Sequence, residues 1–158
     1  MKKIMIARLL LLLVPWLSAP FLSKKDWQRY TPVAGFAAAL VAGMCVLAVP
    51  YKWWTVGGRW KEKVLNDGSF IMGPFFIGTI WIFRYTFGDI KRYMAANLVM
   101  DVLFSYPLNT VFQRLGFYRL LRFKPRYILL FFTCYSFLIY GFQMWREQSM
   151  YSKADTGR

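Results

Sequence analysis

Apolar runs long enough to cross a membrane recur five times along this chain, at 4–22, 32–51, 69–87, 93–112 and 127–145, with short basic connectors between them. The hydrocarbon core of a bilayer takes about 20 predominantly apolar residues to cross as a helix. Five such runs occupy most of the 158 residues, and an aromatic content of 20% with only 18% charged residues sets the chain apart from a soluble helical domain. The expected fold is therefore all-α, a polytopic membrane helical bundle with five spans and a short interfacial helix. It is organised as a single transmembrane bundle over residues 1–145 and a polar C-terminal tail at 146–158.

Two of the runs, the second and fifth, are free of charge over their apolar stretches, and three are compromised. Arg8 and Arg84 lie close to an end of the first and third runs, where a long side chain can snorkel to the interface. Asp101 has no such escape in the fourth run. Its side chain is short, and a rise of about 1.5 Å per residue puts it some 12 Å from either boundary. The first run follows Lys2 and Lys3 and is read as an uncleaved signal anchor, because Leu17 and Pro20 make a poor cleavage context around Ala19. If that run does not cross, four spans remain. With five, twelve lysines and arginines lie on the N-terminal side of the bundle and nine on the other, which favours a cytoplasmic N-terminus.

The connectors have the composition of an interface. Tyr51, Trp53, Trp54 and Trp60 alternate with Lys52, Arg59, Lys61 and Lys63 around Gly57-Gly58, and Asp67-Gly68 before Ser69 marks a turn and a helix cap. Between Phe112 and Tyr127, Leu115, Phe117, Leu120, Leu121 and Phe123 are interleaved with Arg114, Arg119, Arg122 and Lys124. That pattern fits a short amphipathic helix on the membrane surface. Lys61, Lys63, Arg119, Arg122 and Lys124 are the candidate contacts to anionic lipid headgroups. The net charge of +14 is divided between the two membrane faces without a polar domain, so headgroup attraction accounts for it and nucleic acid is not an expected partner.

The second run carries two small-residue registers, Gly35, Ala39, Gly43 and Ala34, Ala38, Ala42, on which helices can approach closely. The first register is the candidate packing surface, either within the chain or between copies. In the third run, Phe75, Phe76, Trp81, Phe83 and Phe87 are expected to pack against the small side of the second, and Gly73-Pro74 interrupts its first turns.

The fourth run is amphipathic. Asn97, Asp101, Ser105 and Asn109 recur every four residues, and four-residue steps drift by roughly 40°, so they form a slanting polar face that extends to Gln113. Pro107 frees the carbonyl of Leu103 and should bend or open the helix there. The polar face is expected to turn toward protein or water. Asp101 itself can pair with a cation, donate a hydrogen bond in its protonated form or line a hydrated path. Arg84 is the candidate cation, although it sits nearer the level of Asn97.

Enzymatic chemistry is not expected. The chain has no histidine, Cys45 and Cys134 stand alone in apolar runs, and the acids outside the fourth run are scattered over connectors and tail. No metal site or cofactor is implied. Through the Lys2-Lys3 start, the connector from Tyr51 to Asp67 and the stretch from Asp101 to Asn109, the chain resembles the short, basic, aromatic-rich multi-pass membrane proteins of spore-forming Gram-positive bacteria. The resemblance implies residence in a bacterial plasma membrane and a part in sporulation or germination. The expected function is that of a small membrane scaffold or accessory subunit that binds another integral-membrane protein or itself. The alternative is a homo-oligomeric ion, proton or small-solute pathway along the polar face of the fourth run.

Overall fold

The computed structural model describes residues 2–57 and 60–156; Gly58 and Arg59 of the predicted connector and Arg158 of the predicted tail lie outside it. The chain is 82% helical. Its helices form five rods, which lie side by side. The first is α1 (Lys2–Leu17), closed by a 3-10 turn at Ala19–Phe21, and the second is α2 (Lys24–Leu47). The third joins α3 (Trp60–Phe70) to α4 (Phe76–Thr86) through a π turn at Ile71–Phe75. The fourth joins α5 (Ile90–Leu103) to α6 (Asn109–Arg114) through a π turn at Phe104–Leu108, and α7 (Pro125–Thr156) is the fifth. A two-residue antiparallel ribbon, β1 (Trp54–Thr55) with β2 (Arg119–Leu120), ties the connectors together at one end.

Among the described residues, three helical segments are long and apolar enough to cross a membrane: Ile4–Phe21, Lys24–Leu47 and Pro125–Met150, with mean hydropathies of 1.9, 1.8 and 1.5. The third and fourth rods do not join them, because each is divided at a proline into shorter helices. Length and apolarity thus support three membrane-capable helices where five runs were expected.

Local sequence explains most of the helix ends. Ser23 and Asp26 form a reciprocal capping box that starts α2 at Lys24, eight residues before the apolar run. Asp89 caps α5 by accepting from the Lys91 and Arg92 N–H groups. At the end of α6, Gly116 takes a φ of 79°, Phe117 N–H bonds the Phe112 carbonyl and Gly116 N–H that of Gln113. This is a Schellman stop, completed by the contact of the Phe117 and Phe112 rings at 5.3 Å.

That stop overturns the expected interfacial helix between 112 and 127. Beyond Gly116 the chain turns into β2 instead, and Leu121 and Phe123 donate to the Trp53 carbonyl, so the backbone groups are met by the other connector. Asp67-Gly68 likewise makes no turn. It lies inside α3, which begins at Trp60 and is supported by the i,i+4 pair Lys63–Asp67 at 2.6 Å. The predicted tail continues α7 to Thr156, and Arg146 and Glu147 within it bind α2.

The core lies between α2, α4, α5 and α7. Val33, Ala34 and Ala37 of α2 are buried against the side of the third rod that carries Ile80 and Phe83, and Tyr93 and Tyr140 belong to the same cluster. Small side chains on α2 admit large ones from α4, as the sequence implied, but through the Ala34 register. Gly35, Ala39 and Gly43 are exposed, and among the described residues nothing lies within 4 Å of where a Cβ would stand on either glycine.

Among the described glycines, the one whose Cβ would clash with a neighbouring backbone is one the sequence did not mark for packing. Gly73 is buried against α1, where a Cβ would stand 2.4 Å from the Leu11 carbonyl oxygen. Replacement of Gly73 by Ala should force α1 away and destabilise the bundle by about 1–3 kcal/mol. Gly78→Ala, whose Cβ meets nothing within 4 Å, should be close to neutral. Unfolding of the two variants in mild detergent checks this, and equal stabilities would contradict it.

Candidate functional site

The polar face predicted on the fourth rod is internal. Asp101, Ser105 and Asn109 are buried and Asn97 is half-buried, so the four-residue recurrence does select one side of the helix, and that side meets α7. Facing it on α7 is a second polar row that sequence reading missed: Thr133, Ser136, Tyr140, Gln143 and Glu147. Its spacing alternates three and four residues, which keeps all five on one helical face. That alternation was present in the sequence. Interleaved aromatic residues and the absence of charge between 127 and 145 hid it.

Together the two rows form a seam through the bundle. Toward the ribbon it ends in a fixed group: Asn109 Oδ1 accepts from the Tyr118 hydroxyl at 2.8 Å and from Gln113 Nε2 at 3.2 Å, and Asn109 Nδ2 donates to the Ser105 carbonyl. Burial raises the pKa of Tyr118 above the ordinary phenol value, keeping it the donor in that bond. At the other end Gln143 donates to Glu147, which holds Arg29 of α2 through two bonds at 2.7 and 3.0 Å.

Asp101 stands in the middle. Thr133 of α7 stands beside it, and Oδ2 has no hydrogen-bond partner. Among the described residues the buried side-chain atoms left without a partner are Asp101 Oδ2, Ser105 Oγ and Gln143 Oε1, and all three belong to the seam. A cavity of about 70 Å³ adjoins Asp101, with Thr79, Asn97 and Ser136 among its lining side chains. A water needs roughly 10–15 Å³ of such space, so several fit.

Both π turns bear on this cavity, which is bordered by Pro74, Phe75 and Phe104. A π turn recruits the N–H five residues on: Phe76 donates to Ile71 and Asn109 to Phe104. The helix thereby opens at its proline, one of the two outcomes expected at Pro107.

Arg84 does not reach Asp101. It lies exposed at the end of α4, 3.2 Å from Asp26 and 2.7 Å from the Phe21 carbonyl. Those partners sit at its own level, which makes extension toward the bundle centre unnecessary. Arg8, expected to snorkel, is instead buried against α3, where it pairs with Glu62 and donates to Asn66 Oδ1 at 3.4 Å. The polar first half of α3 supplies the acid that a reading of 60–68 as a surface connector left out of account.

Of the predicted lipid-contact cations, Lys61, Arg119, Arg122 and Lys124 are exposed at the ribbon end. Lys63 turns inward to Asp67 and lies over the Trp54 ring at 5.4 Å. The described residues contain no cluster of metal-ligating side chains.

Because Arg8 is buried, Arg8→Gln should cost about 1–3 kcal/mol by leaving polar partners unmatched. Arg84→Gln, at an exposed pair, should cost no more than about 1 kcal/mol. Denaturant titration in detergent ranks the two, and a larger loss at Arg84 would contradict the assignment of the inner pair. No protein-family model, curated protein or solved structure matches this chain.

Proposed function

We propose that this protein is a small multi-pass membrane protein, its five rods all crossing a bacterial plasma membrane, that acts as an accessory subunit by holding a second integral-membrane protein or another copy of itself. The ribbon end, which also receives the N-terminal end of α1, lies on the cytoplasmic side in this reading. Lys52, Lys61, Arg114, Arg119, Arg122, Lys124 and Arg126 are exposed there and form no ion pair among the described residues.

The observation that carries the subunit reading is the outward register of α2. Gly35 and Gly43 have no atom within 4 Å of where a Cβ would stand, and Ala39 between them is exposed, while the Ala34 side of the same helix is taken up by α4. Close approach of a partner backbone along such a strip supplies the dispersion contacts that drive association in lipid. The polar side of the fourth rod is turned to α7 and offers a partner nothing, so recognition falls to α2.

Gly35→Leu with Gly43→Leu should leave the folded chain intact and dissociate its complex in mild detergent, lowering the measured particle mass. An unchanged mass and partner content in that double variant would refute the subunit reading.

The seam around Asp101 favours a second reading, a homo-oligomeric pathway for an ion, proton or small solute, because its unpartnered oxygens suit a mobile occupant. Under it, purified protein in liposomes conducts, and Asp101→Asn lowers the flux by about tenfold or more, as expected for loss of a charged intramembrane group. Under the subunit reading Asp101→Asn leaves assembly intact. Absence of flux from an oriented, assembled preparation removes the second reading.

A further inference from the structure

The end of α6 and the ribbon enclose a groove of about 570 Å³ whose lining includes Arg114, Arg119, Thr55, Thr110 and the backbone at Gly57 and Gly116. Its volume falls in the range of small-ligand sites. The Schellman stop at Gly116 builds it by reversing the chain, so that Arg119 returns beside the last turn of α6, which Arg114 ends. The register of the ribbon then sets Thr55 opposite Arg119.

The floor is held before any ligand arrives. Tyr118 and Gln113 are both bonded to Asn109, and the Leu120 N–H donates to Gln113 Oε1 at 3.3 Å. Among the described residues no carboxylate lines the groove, and neither arginine has an ion-pair partner. The negative end of α6 is blunted as well, since the Phe112 and Gln113 carbonyls are engaged by Phe117 and Gly116.

Two arginines lining one groove, with Thr55 opposite Arg119, suit one chemistry, a phosphate oxygen array, which arginine binds with paired charge-assisted hydrogen bonds. We propose that this groove binds a phosphate ester through Arg114 and Arg119, with Thr55 as a hydroxyl donor. An anionic phospholipid headgroup and a soluble phosphate ester are the two sources of that group. The first rests on the membrane reading above.

The test uses the full chain in neutral detergent, offered phosphatidylglycerol and phosphatidylcholine together, with retained lipid counted by native mass spectrometry. Phosphatidylglycerol is expected to be retained about tenfold over phosphatidylcholine, and Arg114→Gln with Arg119→Gln to abolish that preference. Lys52→Gln with Arg126→Gln removes the same charge outside the groove and should change retention by less than about twofold. Equal losses in the two double variants would overturn the proposal in favour of bulk charge.

Glycerol 3-phosphate added as a competitor separates the sources: displacement of the lipid assigns the groove to a soluble ester, and persistence assigns it to the headgroup. Equal retention of both lipids with no binding of glycerol 3-phosphate also overturns it. Should alkaline carbonate release the protein from membranes, the membrane reading fails, and glycerol 3-phosphate binding to the two double variants still decides the groove.

Discussion

A carbonyl freed by a proline inside an apolar bundle has no water to turn to, and much of this structure is organised around supplying the missing partner. Pro15, Pro32, Pro74 and Pro107 all lie within helical rods. Pro32 frees the carbonyl of Gln28, and Arg146 of α7 reaches it at 3.5 Å while also bonding the Arg29 carbonyl, which anchors the far end of α7 to α2. Pro15 frees that of Leu11, the oxygen that presses on Gly73. Pro74 and Pro107 are absorbed by π turns, whose displaced carbonyls take donors from Trp16, Thr79 and Thr110. Each repair joins two rods or stiffens one, so the prolines that interrupt the hydropathy of the runs also fix how the rods meet.

Charge follows the same rule of partners at equal depth. Arg8 finds Glu62 and Asn66, Arg84 finds Asp26, and Arg29 finds Glu147, each across a rod-to-rod contact. Asp101 forms no ion pair among the described residues, and its Oδ2 is left without a partner between α5 and α7. A buried acid so placed serves equally as glue for two rods or as the occupant-facing group of an internal path, which is why assembly and flux have to be measured on the same variant. Exposed cations lie at both ends of the bundle, and those at the ribbon end include the two arginines of the groove beside Gly116.

The sequence displayed the helical character of the chain, the inward turn of Asn97, Asp101, Ser105 and Asn109, and the small-to-large match between the second and third runs. Those features depend on helical period and burial, which a single element carries in itself. It concealed the α7 row, because a three-four alternation of Thr, Ser, Tyr and Gln among phenylalanines carries little hydropathy contrast. It also misassigned 60–68 and 112–127. In the first, polar residues read as a connector are stabilised as helix by Arg8 from a distant rod, and in the second an amphipathic pattern is diverted into a ribbon by acceptors on another loop.

The amino-acid sequence by itself determined that the chain is a set of apolar helices with one acid stranded among them, since hydropathy and helical period are local properties. Only the tertiary structure decided which small-residue register packs, which acid each arginine takes, and that two connectors pair as a ribbon. Those outcomes depend on depth and proximity between segments up to 118 residues apart, such as Arg29 and Glu147, and no window of sequence contains both members of such a pair.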